Sequence, residues 1–125
     1  MGGGLILKEV AHIYAEGMSA AEFRHGPIEA ASPQWPAIVF TSSGPDALLT
    51  ARLASELLNY GTRVVAIGPE SPDPQAFHLP LPVLAEGVSP VAEIVPIQTL
   101  AYQLAQCRGL KPGHFHRIGK VVTEE

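Results

Sequence analysis

Two residues near the amino terminus, Glu9 and His25, have the side-chain types that proton transfer between carbon atoms requires. Glu9 lies in a helical pattern, and His25 comes directly before a break at Gly26-Pro27, so both side chains could face one cleft. A carboxylate can move a proton between adjacent carbons of a sugar, and a histidine can exchange the proton that ring opening needs. The simpler interpretation is that Glu9 is a solvated helix residue and His25 an ordinary helix end. The two residues alone leave both interpretations open.

A loop of small polar residues follows the apolar run Ala37–Phe40 and precedes a strongly periodic helical pattern. Its members are Thr41, Ser42, Ser43 and Gly44. In an α/β fold, such a strand-to-helix junction binds anions through hydroxyls, backbone N–H groups and the positive end of the helix. The sequence therefore predicts a candidate phosphate site here. An ordinary helix cap is an equally good explanation, and the GxxxxGK spacing of a P-loop is absent.

The carboxyl-terminal tail concentrates basic and histidine side chains, namely His114, His116, Arg117 and Lys120. The His-x-His spacing is reminiscent of a metal site, but no set of carboxylates or cysteines completes one, so we predict no metal and no cofactor. A basic tail that folds over an anionic ligand is the functional interpretation. A solvated carboxyl terminus is the alternative.

The hydrophobic pattern predicts the strand, helix, strand order of a βαβ unit. We expect a helix over Leu5–Ala15 and a second, short helix after the capping box Ser19–Glu22. Strands follow over Ala37–Phe40 and Arg63–Ile67, and the helix between them stops at Gly61. A weak edge strand over Ala76–Leu79 and a last helix over Ser89–Cys107 complete the predicted order. A crossover of this length joins parallel strands, so the predicted fold class is α/β with a parallel sheet. Two clear strands are few for an open sheet. We therefore expect a truncated domain that lacks its first strand or is completed by a partner.

The composition describes one domain with few charges. The chain has 125 residues, enough for a single core, and its charged fraction of 16% is below the usual level, which favours association with another chain. A net charge of -4 with 8 lysines and arginines provides no broad cationic surface for nucleic acid. The single Cys107, the lack of a secretory signal and the lack of an apolar run of about 20 residues predict a cytoplasmic protein without a membrane segment.

The segment Leu7–Pro27, which reads LKEVAHIYAEGMSAAEFRHGP, resembles the second domain of a sugar isomerase (SIS) domain pair. The resemblance continues through Val95–Tyr102 and Gly119–Glu124, so it covers nearly the whole chain from Leu5 onward. Within the SIS family, the pattern is similar to the carboxyl-terminal SIS domain of glucosamine-fructose-6-phosphate aminotransferases and of related phosphosugar isomerases and deglycases. It implies that residues 1–125 form one such domain, a doubly wound, Rossmann-like three-layer α/β sandwich with a parallel sheet.

The resemblance also implies a role for three side chains. Glu9 would be the base that carries a proton between C1 and C2, and His25 would assist ring opening, commonly from the neighbouring subunit. Lys120 would cover the site and engage the carbonyl of the open-chain sugar. The implied ligand is a phosphosugar such as fructose 6-phosphate, and the implied assembly is a homodimer or a pairing with a separate SIS half.

Several departures from the family pattern limit these expectations. Ile6 stands where the family has a lysine that would steady an enediolate, and the first strand, the partner SIS domain with its phosphate loop and the glutaminase domain are absent from the sequence. We therefore do not expect glutamine-dependent amide transfer from this chain alone. Three interpretations stay open: an isomerase module that acts with a partner, a non-catalytic module that binds a phosphosugar or stabilises a partner, and a structural fragment.

Overall fold

The computed structural model describes residues 2–41, 46–85 and 87–114 of the chain. The chain divides into two compact units, of which one combines residues 1–17 with residues 94–125 and the other comprises residues 18–93. In the part of the chain that is described, no helix is both long enough and apolar enough to cross a membrane.

The elements follow the predicted order closely. They are helix α1 (Gly2–Ala11), helix α2 (Ala20–Arg24), a short 3-10 helix (Pro27–Ala30), strand β1 (Ala37–Phe40), helix α3 (Ala47–Asn59), strand β2 (Val64–Gly68), strand β3 (Phe77–Pro80) and helix α4 (Ser89–Cys107). The predicted edge strand over Ala76–Leu79 is present as β3. The predicted α/β class is therefore confirmed.

The three strands form one parallel sheet in the order β1-β2-β3. Ala37 pairs with Val64 at one end of the first ladder, and Phe40 pairs with Ile67 at the other. Helix α3 packs against this sheet because its leucines recur at helical spacing, and the resulting core consists of Val39, Leu53, Ala54, Leu57 and Val64. Full burial of each such leucine contributes about 1.5–3 kcal/mol, so this core stabilises the second unit.

Glycine ends both long helices. Gly61 follows α3 with a φ of 79°. Its N–H donates to the Leu58 carbonyl at 2.9 Å, and the N–H of Thr62 donates to the Leu57 carbonyl at 3.0 Å. These two bonds form a Schellman cap, which satisfies carbonyls that the helix end would leave unpaired. Gly109 closes α4 in the same way, since its N–H donates to the Gln106 carbonyl at 2.9 Å and the N–H of Leu110 donates to the Ala105 carbonyl at 2.9 Å.

The first helix differs from its predicted bounds. It begins at Gly2 instead of Leu5 and ends at Ala11 instead of Ala15. The helix ends early because His12 adopts a left-handed conformation with a φ of 53°, which histidine tolerates better than most residues. The N–H of Ile13 then donates to the Leu7 carbonyl at 3.2 Å, and the chain reverses direction.

Candidate functional site

Glu9 lies in the last turn of α1, two residues before the helix ends at Ala11. The helix buries Leu7 and Ala11, which are four residues apart and share one face, whereas the Glu9 side chain is exposed. The carboxylate is therefore on a regular element and accessible to a ligand. Both features suit a general base.

His25 is placed by the cap of a very short helix. Ser19 and Glu22 form the predicted capping box: the Glu22 N–H donates to Ser19 Oγ at 3.2 Å, and the Ser19 N–H donates to Glu22 Oε2 at 2.8 Å. The Ser19 N–H and the Ser19 hydroxyl both donate to Glu22 Oε2, and because these two bonds stabilise the ionised carboxylate, they lower the pKa of Glu22. His25 is the residue at the other end of α2, where its own N–H donates to the Glu22 carbonyl at 3.1 Å.

An ion pair joins α2 to α3. Arg24 Nη2 lies 2.8 Å from Glu56 Oε2 on α3. Directly after His25, Gly26 turns the chain with a φ of 146°, and Pro27 opens the 3-10 helix. The exposed imidazole of His25 thus lies at the helix break that the sequence predicts. The ion pair of Arg24 fixes the chain before this break, and the 3-10 helix begins directly after it.

Glu9 belongs to the first compact unit and His25 to the second. Within its own unit, Glu9 lies on α1 and His25 lies at the end of α2. That the two side chains face a common cleft stays a prediction.

Thr41 is the one residue of the predicted phosphate loop that the structure describes. Its N–H donates to the Ile67 carbonyl at 2.8 Å, and its hydroxyl donates to the Glu70 carbonyl at 3.0 Å. The hydroxyl therefore joins the end of β1 to the segment after β2, and it would have to leave this carbonyl to donate to a phosphate. Ser42, Ser43 and Gly44 lie outside the described residues, as do His116, Arg117 and Lys120.

Glu93 on α4 is an ionisable group with a perturbed pKa that was not predicted from the sequence. It lines a crevice together with Gly68, Leu81 and Ser89, at the carboxyl end of β2 and β3. Partial burial raises the pKa of the Glu93 carboxyl, and no charged group is among the causes. The crevice encloses about 10 Å³, room for roughly one water molecule, so it does not hold a sugar phosphate. The signal that could have revealed it is a single acidic residue within an apolar helical stretch.

The fold identifies the class of protein. The carboxyl-terminal domain of glucosamine-fructose-6-phosphate aminotransferase from Francisella tularensis superimposes with a TM-score of 0.79 at 22% identity, over 88% of this chain and 32% of that chain. Tagatose-6-phosphate ketose/aldose isomerase from Escherichia coli superimposes with a TM-score of 0.80 at 26% identity, over 88% of this chain and 33% of that chain. The fold is the SIS fold of phosphosugar isomerases, as predicted.

Sequence comparison then identifies the particular relatives, which are isomerizing glutamine–fructose-6-phosphate aminotransferases. The enzyme of Gloeobacter violaceus is 35% identical over 128 residues, which are 98% of this chain and 21% of the relative. The enzyme of Zymomonas mobilis is 33% identical over 130 residues, which are 100% of this chain and 21% of the relative. No family model matches the chain. The chain spans about a fifth of the length of the curated relatives it matches, and the predicted resemblance to their SIS domain is confirmed.

Proposed function

We propose that this chain is a phosphosugar-binding SIS module. Together with a partner, it catalyses the interconversion of a ketose phosphate and an aldose phosphate. The observation that carries the proposal is the match to isomerizing aminotransferases over 98% to 100% of the chain, which includes the segment with Glu9 and His25. One solved structure with the same fold is also named a ketose/aldose isomerase. Isomerisation of a sugar phosphate is the chemistry that these names share.

In the proposed reaction, Glu9 removes a proton from the carbon beside the carbonyl of the open-chain sugar. The electrons of the broken C–H bond form the C1–C2 double bond of an enediol, and the carbonyl oxygen takes up a proton. Glu9 then gives the proton to the former carbonyl carbon. The hydroxyl on the other carbon of the enediol releases its proton, which balances the proton taken up by the first carbonyl oxygen, so that the carbonyl moves from C2 to C1. His25 exchanges the proton that opens the ring, and Lys120 engages the carbonyl.

Binding of the phosphate needs more than the described part of this chain offers. The loop Thr41, Ser42, Ser43 and Gly44 follows a parallel strand at the sheet edge where α/β folds bind anions. The hydroxyl of Thr41 is already donated to a backbone carbonyl, so we assign the main phosphate contacts to a second copy of the chain or to a separate SIS half. In this proposal, residues 1–125 act as one domain in the cytoplasm.

The test is hydrogen exchange at the reacting carbon. Fructose 6-phosphate is incubated with the chain in D2O, and NMR follows the loss of one C1 proton and the appearance of glucose 6-phosphate, while calorimetry measures binding. Glu9→Gln should abolish exchange and leave the dissociation constant within about threefold, because the neutral amide occupies the same space but cannot accept the proton. Glu29→Gln, at an exposed glutamate of the 3-10 helix, is the matched control.

Binding without exchange in the unmodified chain would favour a non-catalytic phosphosugar module. Exchange that persists in Glu9→Gln would assign the base elsewhere. Absence of both binding and exchange in the folded chain, alone and mixed with a separate SIS half, would reject the proposal.

A further inference from the structure

The segment that follows α1, Ile13–Gly17, folds back along the helix; we name it the return segment. A Cβ atom added to Gly4 would lie 2.9 Å from the Ala15 carbonyl oxygen and 3.2 Å from the Gly17 nitrogen. Both distances are shorter than ordinary contacts. The backbone of the return segment therefore lies directly against the first turns of α1, and only a residue without a side chain allows this approach.

Side chains join the same two segments near the other end of the helix. Lys8 Nζ lies 3.2 Å from Glu16 Oε1 and 5.3 Å from the centroid of the Tyr14 ring. Interaction with the Tyr14 phenol, followed by the contact with Lys8, lowers the pKa of Glu16. Lys8 is thus the one helix residue in a cluster whose other members, Tyr14 and Glu16, belong to the return segment.

Stability alone does not explain this cluster. The side chains of Lys8 and Glu16 are 39% and 45% exposed, and ion pairs at such positions contribute little to the free energy of unfolding. The contact does restrict orientation, because it links the side of α1 that carries Lys8 to a fixed backbone segment. Neighbouring residues on a helix point roughly 100° apart, so holding Lys8 also fixes the direction of Glu9.

We propose that Lys8 is a positioning residue for Glu9: the return segment, admitted by Gly4 and joined to Lys8 through Glu16 and Tyr14, holds α1 in the rotation that presents the Glu9 carboxylate to the sugar. The inference rests on the proposed function. It assigns Lys8 no contact with the phosphosugar, since its positive charge is already matched by Glu16.

The kinetic test compares Lys8→Met, Glu16→Gln and the double variant in the C1 hydrogen exchange of fructose 6-phosphate. Each single variant should lower kcat about tenfold and leave KM within about twofold, because a misplaced base slows the reaction without weakening phosphate binding. The double variant should be no slower than either single variant, and Lys8→Arg, which retains the cation, should restore most of kcat. A raised KM in Lys8→Met together with a lowered KM in Glu16→Gln would overturn the inference, since it would make Lys8 a ligand for the anion.

A second readout needs no activity. Amide hydrogen exchange of residues 2–11 should be faster in Lys8→Met, Glu16→Gln and Gly4→Ala than in the unmodified chain. Gly2→Ala is the matched control, because a Cβ at Gly2 meets no atom within 4 Å. Equal protection of α1 in all variants would overturn the inference. If the unmodified chain neither binds nor exchanges fructose 6-phosphate, the proposed function fails, whereas the amide exchange still decides whether the return segment holds α1.

Discussion

Gly68 shows how a missing side chain allows two segments of the backbone to meet. A Cβ at this position would overlap the carbonyl group and the hydroxyl of Thr41, so any larger residue forces the end of β1 away from the end of β2. That movement would also break the bond from the Thr41 hydroxyl to the Glu70 carbonyl. The position of Thr41, the described residue of the predicted phosphate loop, therefore depends on Gly68.

We predict that Gly68→Ala lowers the free energy of unfolding by about 1–3 kcal/mol, the usual cost of forcing additional atoms into a packed site. Urea unfolding followed by circular dichroism measures the change. Gly87→Ala is the control, because a Cβ at Gly87 meets nothing within 4 Å. Equal stability of the two variants would contradict the close approach of Thr41 to Gly68.

Glu93 provides a pH-dependent test of burial on α4. Its pKa is raised above the ordinary value of 4.5 by burial, so the folded state holds the proton to a higher pH than the unfolded state does. By linkage, the chain loses stability as the pH rises from below the unfolded pKa to above the folded pKa. At neutral pH the ionised carboxylate opposes folding.

We therefore expect Glu93→Gln to unfold at higher urea concentration than the unmodified chain at pH 7, and this difference to shrink as the pH falls below 4.5, the ordinary glutamate pKa. Urea unfolding at several pH values measures it. Glu29→Gln corrects for the change in net charge, because it removes the same charge from an exposed position. An advantage that is the same at every pH would show that burial of the charge is not its cause.

The two Schellman caps allow the energetic cost of a left-handed backbone to be distinguished from the cost of crowding a neighbouring side chain. Gly61 and Gly109 both have positive φ values, 79° and 68°. A Cβ on Gly61 would lie 3.2 Å from Pro33 Cγ, whereas one on Gly109 meets nothing within 4 Å. The two ends thus have the same hydrogen-bond pattern and different surroundings.

We predict that Gly109→Ala costs about 1–2 kcal/mol, the penalty of a left-handed conformation for an L-residue, and that Gly61→Ala costs more because Pro33 must also move. Gly109→Asn should recover part of the loss, since asparagine tolerates this conformation. Thermal unfolding of the three variants gives the comparison. A larger loss at Gly109 than at Gly61 would contradict the structure.

Several large apolar side chains are exposed in the part of the chain that the structure describes. Trp35 is 61% exposed, Phe77 is 69% exposed and Val91 is 67% exposed. The charged fraction is only 16%, so little repulsion opposes association. These features support the proposed assembly with a second copy or a separate SIS half.

We expect the purified chain to be a dimer in light scattering, with a thermal midpoint that falls on dilution because association stabilises the folded state. Sedimentation equilibrium over a hundredfold range of concentration is the measurement. A monomer at every concentration that still exchanges the C1 hydrogen of fructose 6-phosphate would contradict the need for a partner.

Features that depend on neighbouring residues could be predicted from the sequence. The capping box at Ser19 and Glu22 needs only two side chains three residues apart, and the stop at Gly61 needs only one residue that accepts a positive φ. The parallel pairing of β1 with β2 follows from the length of the crossover between them. The helical pattern placed Glu9 on a helix and His25 at a helix break, and the catalytic roles that the SIS resemblance implies for them stay predictions.

Features that depend on distant contacts required the tertiary structure. The helical pattern of α1 continues past Ala11, but the chain turns at His12 because the backbone of the return segment packs against Gly4, which a longer helix would prevent. The hydroxyl of Thr41 suits a phosphate in sequence, yet the fold directs it to the Glu70 carbonyl. Glu93 has a perturbed pKa because of burial alone. Local hydrogen bonding and hydrophobic periodicity thus determined the elements, whereas close approaches between remote segments decided where α1 ends and which polar groups remain available for a ligand.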